Sequence, residues 1–437
     1  MAATASATSQ SQSQSEPETA LPSPPSHVLV QSHPHFGCGI ANLGNTCFIN
    51  SALQCIARMR RFSEFFRNKE FESIPGWDTK PEHLKLMCRE WEDLSDALRS
   101  PKSAHLVPNR FYKNFRTAAA MEKMDWMMTG QNDSHEFMMF LLDILHRSVS
   151  IDMREDFKEW LDKPSSRLLT PKENVTEELK QMSLSNWATH YAKECHPRIT
   201  EMFHGQFLTI ISSNSTEERS FSFEPFSSIN MAVPQNESVE YTIQECLDGN
   251  FTTEKMTGDS QWESPTKGKV DAARATRIWK CPDVLILSIK RFTMTGGKVR
   301  TMIKYPLEGL DMTPYCIGPS LQKNNNLYDL TGVIIHMGML FGGHYLCLCR
   351  NPGGIWVVAN DMMVRRIDIK NVIDQRDAYA LIYQRREILV EDDSADKLWY
   401  DRFLEEEQRQ QRKTEPSSAS DSASLETTSE DVSGSSS

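Results

Sequence analysis

Cys47 heads an apolar stretch in a setting suited to a nucleophile. From Thr46 onward Phe48, Ile49, Ala52, Leu53, Ile56 and Met59 recur at helical spacing, behind the turn and cap formers Asn42, Gly44 and Asn45. The pattern predicts Cys47 in the first turn of a helix, where unpaired backbone N–H groups and the helix dipole favour an anion and lower a thiol pKa. The same N–H groups suit an oxyanion, and Asn42, across a glycine-containing turn, can present its side-chain amide as a second donor. For any single cysteine a structural thiol buried on a helix is the competing explanation.

Four further runs bear on that choice. Gln131 to Asp143 reads QNDSHEFMMFLLD, with Asp133 and Glu136 at the start of a helix that is apolar nearly all round; capping and the helix dipole alone account for carboxylates there. Later the chain reads YDLTGVIIHMGMLFGGHYLCLCR, then IWVVANDMMV, then DAYALIYQR. Together with Gly39, Asn42, Gly44, Asn45, Thr46, Cys47, Phe48, Asn50 and Ser51, these runs resemble, in order, the Cys box, acidic helix and His box of the ubiquitin-specific proteases, the papain-like deubiquitinases. The resemblance covers about residues 38 to 386.

It implies an α+β, papain-like cysteine protease with a helical thumb (about 38–195), an antiparallel β palm and β fingers (together about 199–386). Cys47 is then the nucleophile, His344 its base, Asn360 the third member and Asp361 a supporting acid, with Asn42 at the oxyanion. Gln131, Asp133 and Glu136 would border the groove for ubiquitin's basic C-terminal tail, and Gly342 and Gly343 would clear a path for the substrate backbone. His336 matches a landmark of the family and is assigned no chemistry.

These groups need rigid carriers. A helix is expected over His83 to Leu98, within an all-helical stretch from 61 to 129, and Arg58, Arg60 and Arg61 read as the solvated face of the Cys47 helix. Gln206 to Ile211 and Val284 to Ile289 read as strands, as do Tyr328 to His336, Gly343 to Arg350, Ile355 to Ala359 and Tyr379 to Gln384. Many ubiquitin-specific proteases hold a zinc ion in the fingers with two Cys-x-x-Cys pairs. This chain has no Cys-x-x-Cys, and Cys246 alone stands between Ile210 and Lys280, so no structural zinc and no other cofactor is expected. Cys347 and Cys349 share one strand face and read as core packing.

Composition narrows the class. The chain has 437 residues, a formal charge of -11 and ten scattered cysteines. The charge argues against wholesale nucleic-acid binding and suits a basic protein partner. Cysteine usage fits a reducing compartment, cytoplasmic or nuclear, and no apolar run reaches the roughly 18 to 20 residues of a membrane helix. Residues 1–34 read as a disordered leader, with a plastid transit peptide as the alternative; 387–413 read as a charged helical extension and 414–437 as a Ser-rich disordered tail, segments open to regulatory or adaptor proteins. The expected activity is thiol-dependent cleavage after ubiquitin's C-terminal glycine. A catalytically silent ubiquitin-binding scaffold, a protease for a ubiquitin-like modifier, and redox switching at Cys47 remain as alternatives.

Overall fold

The computed structural model describes residues 36–386 except 100–101, 124–129, 131, 151–160, 162, 170–174, 194–196, 319–325, 341 and 352. The predicted leader, charged extension and tail, and Gln131, lie outside the described residues.

Helices α1 (Cys47–Ala57), α2 (Arg60–Arg67), α3 (Glu82–Arg99), α4 (Asn109–Met121) and α5 (Ser134–Ser148) form the thumb. A short parallel pair, β1 (Gly39–Ile40) with β2 (His105–Leu106), ties the approach to α1 to the segment before α4 and interrupts the expected all-helical stretch. Every residue of α1 is buried, not just one stripe. Its polar side chains are therefore all bonded inside: Ser51 Oγ lies 3.0 Å from Ser134 Oγ, and Gln54 Nε2 donates to Cys38 O at 2.8 Å. The expected solvated arginine face does not form as one unit, because α1 stops at Ala57. Arg58 is buried and donates to Asn351 Oδ1 (2.8 Å) and Gln54 O (3.0 Å), while Arg60 and Arg61 open α2 on the surface, Arg61 meeting Asp283 at 2.8 Å.

Helices α6 (Val175–Lys193) and α7 (Pro197–Phe203) lead into the fingers. Their antiparallel sheet runs in the order β3 (Ser166–Leu169), β5 (Arg219–Phe226), β4 (Gly205–Ser213), β11 (Ala272–Lys280), β8 (Glu254–Met256). A hairpin, β9 (Trp262–Ser264) with β10 (Gly268–Val270), stands beside it. Since β3 pairs with β5, one finger strand comes from the stretch that the sequence assigns to the thumb. Leu208, Ile210, Phe221, Phe223 and Trp279 pack with Leu179 and Met182 of α6 into a small separate core.

The palm sheet runs β18 (Met363–Arg366), β17 (Trp356–Asn360), β16 (Gly342–Arg350), β15 (Leu327–Met339), β19 (Ala378–Arg385), β12 (Val284–Lys290), β6 (Ile229–Ala232), with β14 (Leu310–Asp311) beside β15. It is antiparallel except that β6 runs parallel to β12, a departure from the expected pattern; the long excursion through the fingers between them supplies the crossover a parallel pair requires. The parallel pair of β7 (Tyr241–Thr242) and β13 (Ile303–Lys304), with helices α8 (Ile243–Asn250) and α9 (Ile369–Ile373), completes the described strands and α-helices.

The palm separates two cores, and strand alternation assigns each residue to one of them. Val284, Ile286, Cys347, Cys349 and Ile382 face the thumb helices; Leu285, Leu287, Leu346, Leu348 and Leu381 enter the core on the other face. Burial on both faces explains why β12 and β19 read as continuous apolar runs. A one-residue slip of β16 would exchange the two sets, so the strand that carries His344 has a firmly fixed register.

Candidate active site

Cys47 is the first residue of α1 and is 3% exposed. The loop before it folds around one side chain. Asn42 Oδ1 accepts from Gly44 N (3.0 Å), Thr46 N (3.1 Å) and Thr46 Oγ1 (3.2 Å), and Thr46 Oγ1 accepts from Leu43 N (2.9 Å). Gly44 (φ +96°) and Asn45 (φ +54°) make the left-handed turn this requires. With its carbonyl so committed, Asn42 can turn only its amide toward the site. One N–H of Nδ2 donates to Asp361 Oδ2 at 3.0 Å, and an amide nitrogen has two, so a second remains for a substrate oxygen.

His344 is the third residue of β16, half-buried, opposite Met337 of β15. Its Nε2 donates to Asn360 Oδ1 at 2.7 Å, which leaves Nδ1 as the nitrogen that serves Cys47. The hydrogen bond to Cys47 is the largest cause of a His344 pKa pushed up to about 9; burial opposes it, and Asn360 and the charge of Asp361 reinforce it. The charged form of this imidazole, held between the Cys47 sulfur and the Asn360 amide oxygen, is thereby favoured.

Asp361 lies beside this line and organises the opposite side. Its Oδ1 accepts from Asn50 Nδ2 (2.7 Å), its Oδ2 from Asn42, and its main-chain oxygen from Ile40 N (2.8 Å). Tyr112 OH donates to Asn50 Oδ1 at 2.8 Å and completes the network. Asp361 has φ +48°, so it and Asn360, though consecutive, send their side chains to different partners. Gly39 permits the approach: a Cβ there would lie 2.1 Å from Met362 O.

The acidic helix behaves partly as a capping motif. Asp133 is the N-cap of α5, its Oδ1 accepting from His135 N (2.7 Å) and Glu136 N (3.1 Å), and its Oδ2 takes the hydroxyl of Tyr379. Glu136 is exposed and lines a cavity of about 430 Å³ together with Phe140, Asp143, His146, Phe203 and His204. The glycine pair divides its work in a way the sequence does not suggest. A Cβ on Gly343 would lie 2.3 Å from Met337 O and 2.6 Å from His336 Nε2, so this glycine lets the strand close on its neighbour, whereas Gly342 faces open space. His336 is buried, its ring 4.5 Å from that of Tyr345, and burial, aided by Lys298, lowers its pKa to about 4, which leaves it neutral.

The structure thus brings Cys47, His344, Asn360, Asn42 and Asp361 together. The sequence reading missed Asn50, Tyr112 and Tyr379 as supporting residues. A signal existed for Asn50, an amide one turn after Cys47 in an apolar helix; the two tyrosines gave none, because their partners are distant in sequence. The reading also missed that Cys347 and Cys349 have a third neighbour. Cys55, Cys347 and Cys349 are, among the described residues, the group of three possible metal-ligand side chains, and it lies between thumb and palm, not in the fingers.

A helix-borne thiol facing a sheet-borne imidazole, with a side-chain oxygen behind it, defines a cysteine hydrolase of papain-like architecture. Residues 38–383 match the family model described as UCH, ubiquitin carboxyl-terminal hydrolase, and the chain belongs to that family. Human "Ubiquitin carboxyl-terminal hydrolase 2" is 28% identical over 361 residues, covering 79% of this chain and 54% of that protein. Drosophila melanogaster "Ubiquitin carboxyl-terminal hydrolase Usp2" is 25% identical over 354 residues, covering 80% and 35%. The chain therefore spans about half, or less, of the length of these curated relatives. Among solved structures, the SAGA Ubp8/Sgf11/Sus1/Sgf73 DUB module bound to ubiquitin aldehyde shares the fold at a TM-score of 0.58 and 22% identity, covering 83% of this chain and 72% of that one. Among the described residues no helix is long and apolar enough to cross a membrane.

Proposed function

We propose that this chain is a deubiquitinase, a thiol hydrolase that cleaves the isopeptide or peptide bond after the C-terminal glycine of ubiquitin. The observation that carries the reading is His344, bonded to Cys47 on one side and to Asn360 on the other.

The mechanism follows from the geometry. Cys47, as thiolate beside the imidazolium, attacks the glycine carbonyl, and the new oxyanion lies against the second N–H of Asn42 and the N–H groups at the start of α1. Collapse breaks the C–N bond, and His344 gives its proton to the departing lysine or peptide amine. Neutral His344 then takes a proton from water, whose oxygen attacks the thioester; the carboxylate leaves and the Cys47 thiolate returns. Asn360 holds the imidazole plane through both proton transfers, and Asp361 holds Asn42. Gly342 leaves room at the surface for the ubiquitin tail, while Asp133 and Glu136 put negative charge near its arginines.

The solved relative bound to ubiquitin aldehyde supports ubiquitin as the partner, and its Sgf11, Sus1 and Sgf73 subunits are precedent for adaptors, which residues 1–34 and 387–437 could engage here. We place its action in the cytoplasm or nucleus, acting on ubiquitin conjugates, without nucleic acid, membrane or cofactor. The fingers hold together as an antiparallel sheet over their own apolar core, and we propose that they need no zinc.

The test is reaction with ubiquitin bearing a C-terminal electrophile, comparing wild type with Cys47→Ala by intact mass. A covalent adduct on wild type only, with the variant still binding ubiquitin, is expected. Binding without an adduct on wild type would instead make the chain a ubiquitin-binding scaffold, and absence of both would direct the search to another modifier.

A further inference from the structure

Away from the active site, Cys281 and Cys316 bring their Sγ atoms to 3.2 Å. Cys281 follows β11 directly, at the root of the fingers. Cys316 belongs to the segment before β15 and is held against β11 by its bridge to Ile278 and by Ile317 N donating to Ile278 O at 2.9 Å. Main-chain bonds thus hold the Cys316 segment against the end of β11, next to Cys281. Cys281 is buried and Cys316 only partly so, which gives the pair an opening to solvent.

The surroundings favour negative charge on one sulfur. The hydrogen bond from Cys316, the Arg385 guanidinium and the Tyr328 hydroxyl hold the Cys281 thiol below its usual range against the effect of burial, while Cys316 is pushed up and keeps its proton. Arg385 is fixed there, its Nη2 donating to Cys281 O at 2.5 Å and to Pro282 O at 3.1 Å.

A contrast within the molecule sharpens the case. Cys55 and Cys349 are 3.7 Å apart, and Cys349 and Cys347 3.6 Å, yet all three are 3% exposed or less, so proximity there has no solvent route.

We infer that Cys281 and Cys316 form an oxidisable dithiol that a hydroperoxide converts to a disulfide, a covalent clamp between the root of the fingers and the segment entering the palm. Cys281 thiolate attacks one peroxide oxygen; the O–O bond breaks, hydroxide leaves, and Cys281 becomes a sulfenic acid. Cys316 sulfur then attacks the sulfenyl sulfur, the S–O bond breaks, and the proton of Cys316 leaves with hydroxide as water. The two sulfurs together lose two electrons; with hydrogen peroxide as the oxidant, the first hydroxide takes up the proton that Cys281 released on ionising, so one peroxide is reduced to two waters. The closure needs a sulfur approach of about 1.2 Å, to the usual bond length of about 2.05 Å. The inference is independent of the catalytic reading, since neither cysteine touches the active site.

The test uses the full chain carrying Cys47→Ala, so that the active-site thiol does not contribute. After brief hydrogen peroxide treatment, remaining thiols are alkylated in denaturant and peptides are mapped without reductant. A cross-linked Cys281–Cys316 peptide is expected, lighter than the two separate peptides by about 2 Da, reversed by dithiothreitol and absent in Cys316→Ser, together with a melting temperature a few degrees above that of reduced protein. Both cysteines recovered alkylated, or oxidation of Cys316 alone to sulfinic acid, would overturn the inference. The mapping needs no cysteine variant beyond Cys47→Ala, so misfolding of Cys316→Ser would not rescue it.

Discussion

Along the seam around α1, polar side chains, most of them buried, run in chains of hydrogen bonds to its neighbours: Tyr112 to Asn50 to Asp361 to Asn42 at the exposed end, Ser51 to Ser134, and Arg58 to Gln54. In the fingers the buried cluster around Phe221, Phe223 and Trp279 is mainly apolar, with one polar group at its end where Gln206 bonds Ser183 and Asn186. A satisfied buried hydrogen bond contributes only about 1 kcal/mol net, whereas a large buried apolar side chain contributes several times that. The seam is therefore built to fix directions and the fingers to hold shape. Substitutions in the seam should change rate more than stability, and substitutions in the fingers the reverse.

The strongest challenge to that division is Asn42→Ala. Loss of the proposed oxyanion donor should reduce turnover of a ubiquitin C-terminal fluorogenic substrate about 100- to 1,000-fold, with ubiquitin affinity little changed; equal rates would end the assignment. Next is Asp361→Ala, which leaves Asn42 in place but no longer held. A fall of about 10- to 100-fold is expected from misorientation, carried by kcat rather than KM, and a purely structural Asp361 would lower the melting temperature without that selective loss.

A pH experiment separates charge from shape. His344 has its pKa raised to about 9, so the charged form is favoured by the fold; the associated stability is fully present below the usual imidazole pKa of about 6.5 and is lost as pH rises through about 9. Turnover should fall over the same upper limit as the proton donor disappears. Removing the largest cause, with Cys47→Ala, should lower the His344 pKa as read from its imidazole proton resonances, and an unchanged titration would contradict the thiol–imidazole contact. The smallest effect on chemistry belongs to the fingers: Phe221→Ala should cost about 3 to 5 kcal/mol of stability while kcat on a minimal C-terminal substrate, measured well below the melting temperature, stays as in wild type.

Much of this was legible in the sequence because the residues of the candidate site sit where local patterns are strong. Cys47 follows turn formers at the head of a periodic apolar run, and His344 opens a strand whose alternation is plain in Leu346, Cys347, Leu348 and Cys349. What escaped depends on contacts between distant segments. Arg58 looks solvated by helical spacing and is buried because α1 ends one residue earlier and Asn351 supplies an acceptor. Gly343 looks like clearance for substrate and is instead clearance for His336. The finger strand at Ser166–Leu169 has no partner nearby in sequence, and only its pairing with Arg219–Phe226 reveals it.

The turn at Asn360 and Asp361 has a consequence for how this protein can vary. Asn360 bonds His344 and Asp361 bonds Asn42, and the left-handed backbone at Asp361 sets both aims at once. Met362, immediately after, is 52% exposed, which would ordinarily mark a site tolerant of insertion. Here one added residue would rotate both side chains out of alignment and push Met362 O away from Gly39. A scan of single-residue insertions should therefore find this exposed turn among the least permissive positions in the chain, a patch of surface whose length is constrained as tightly as the core.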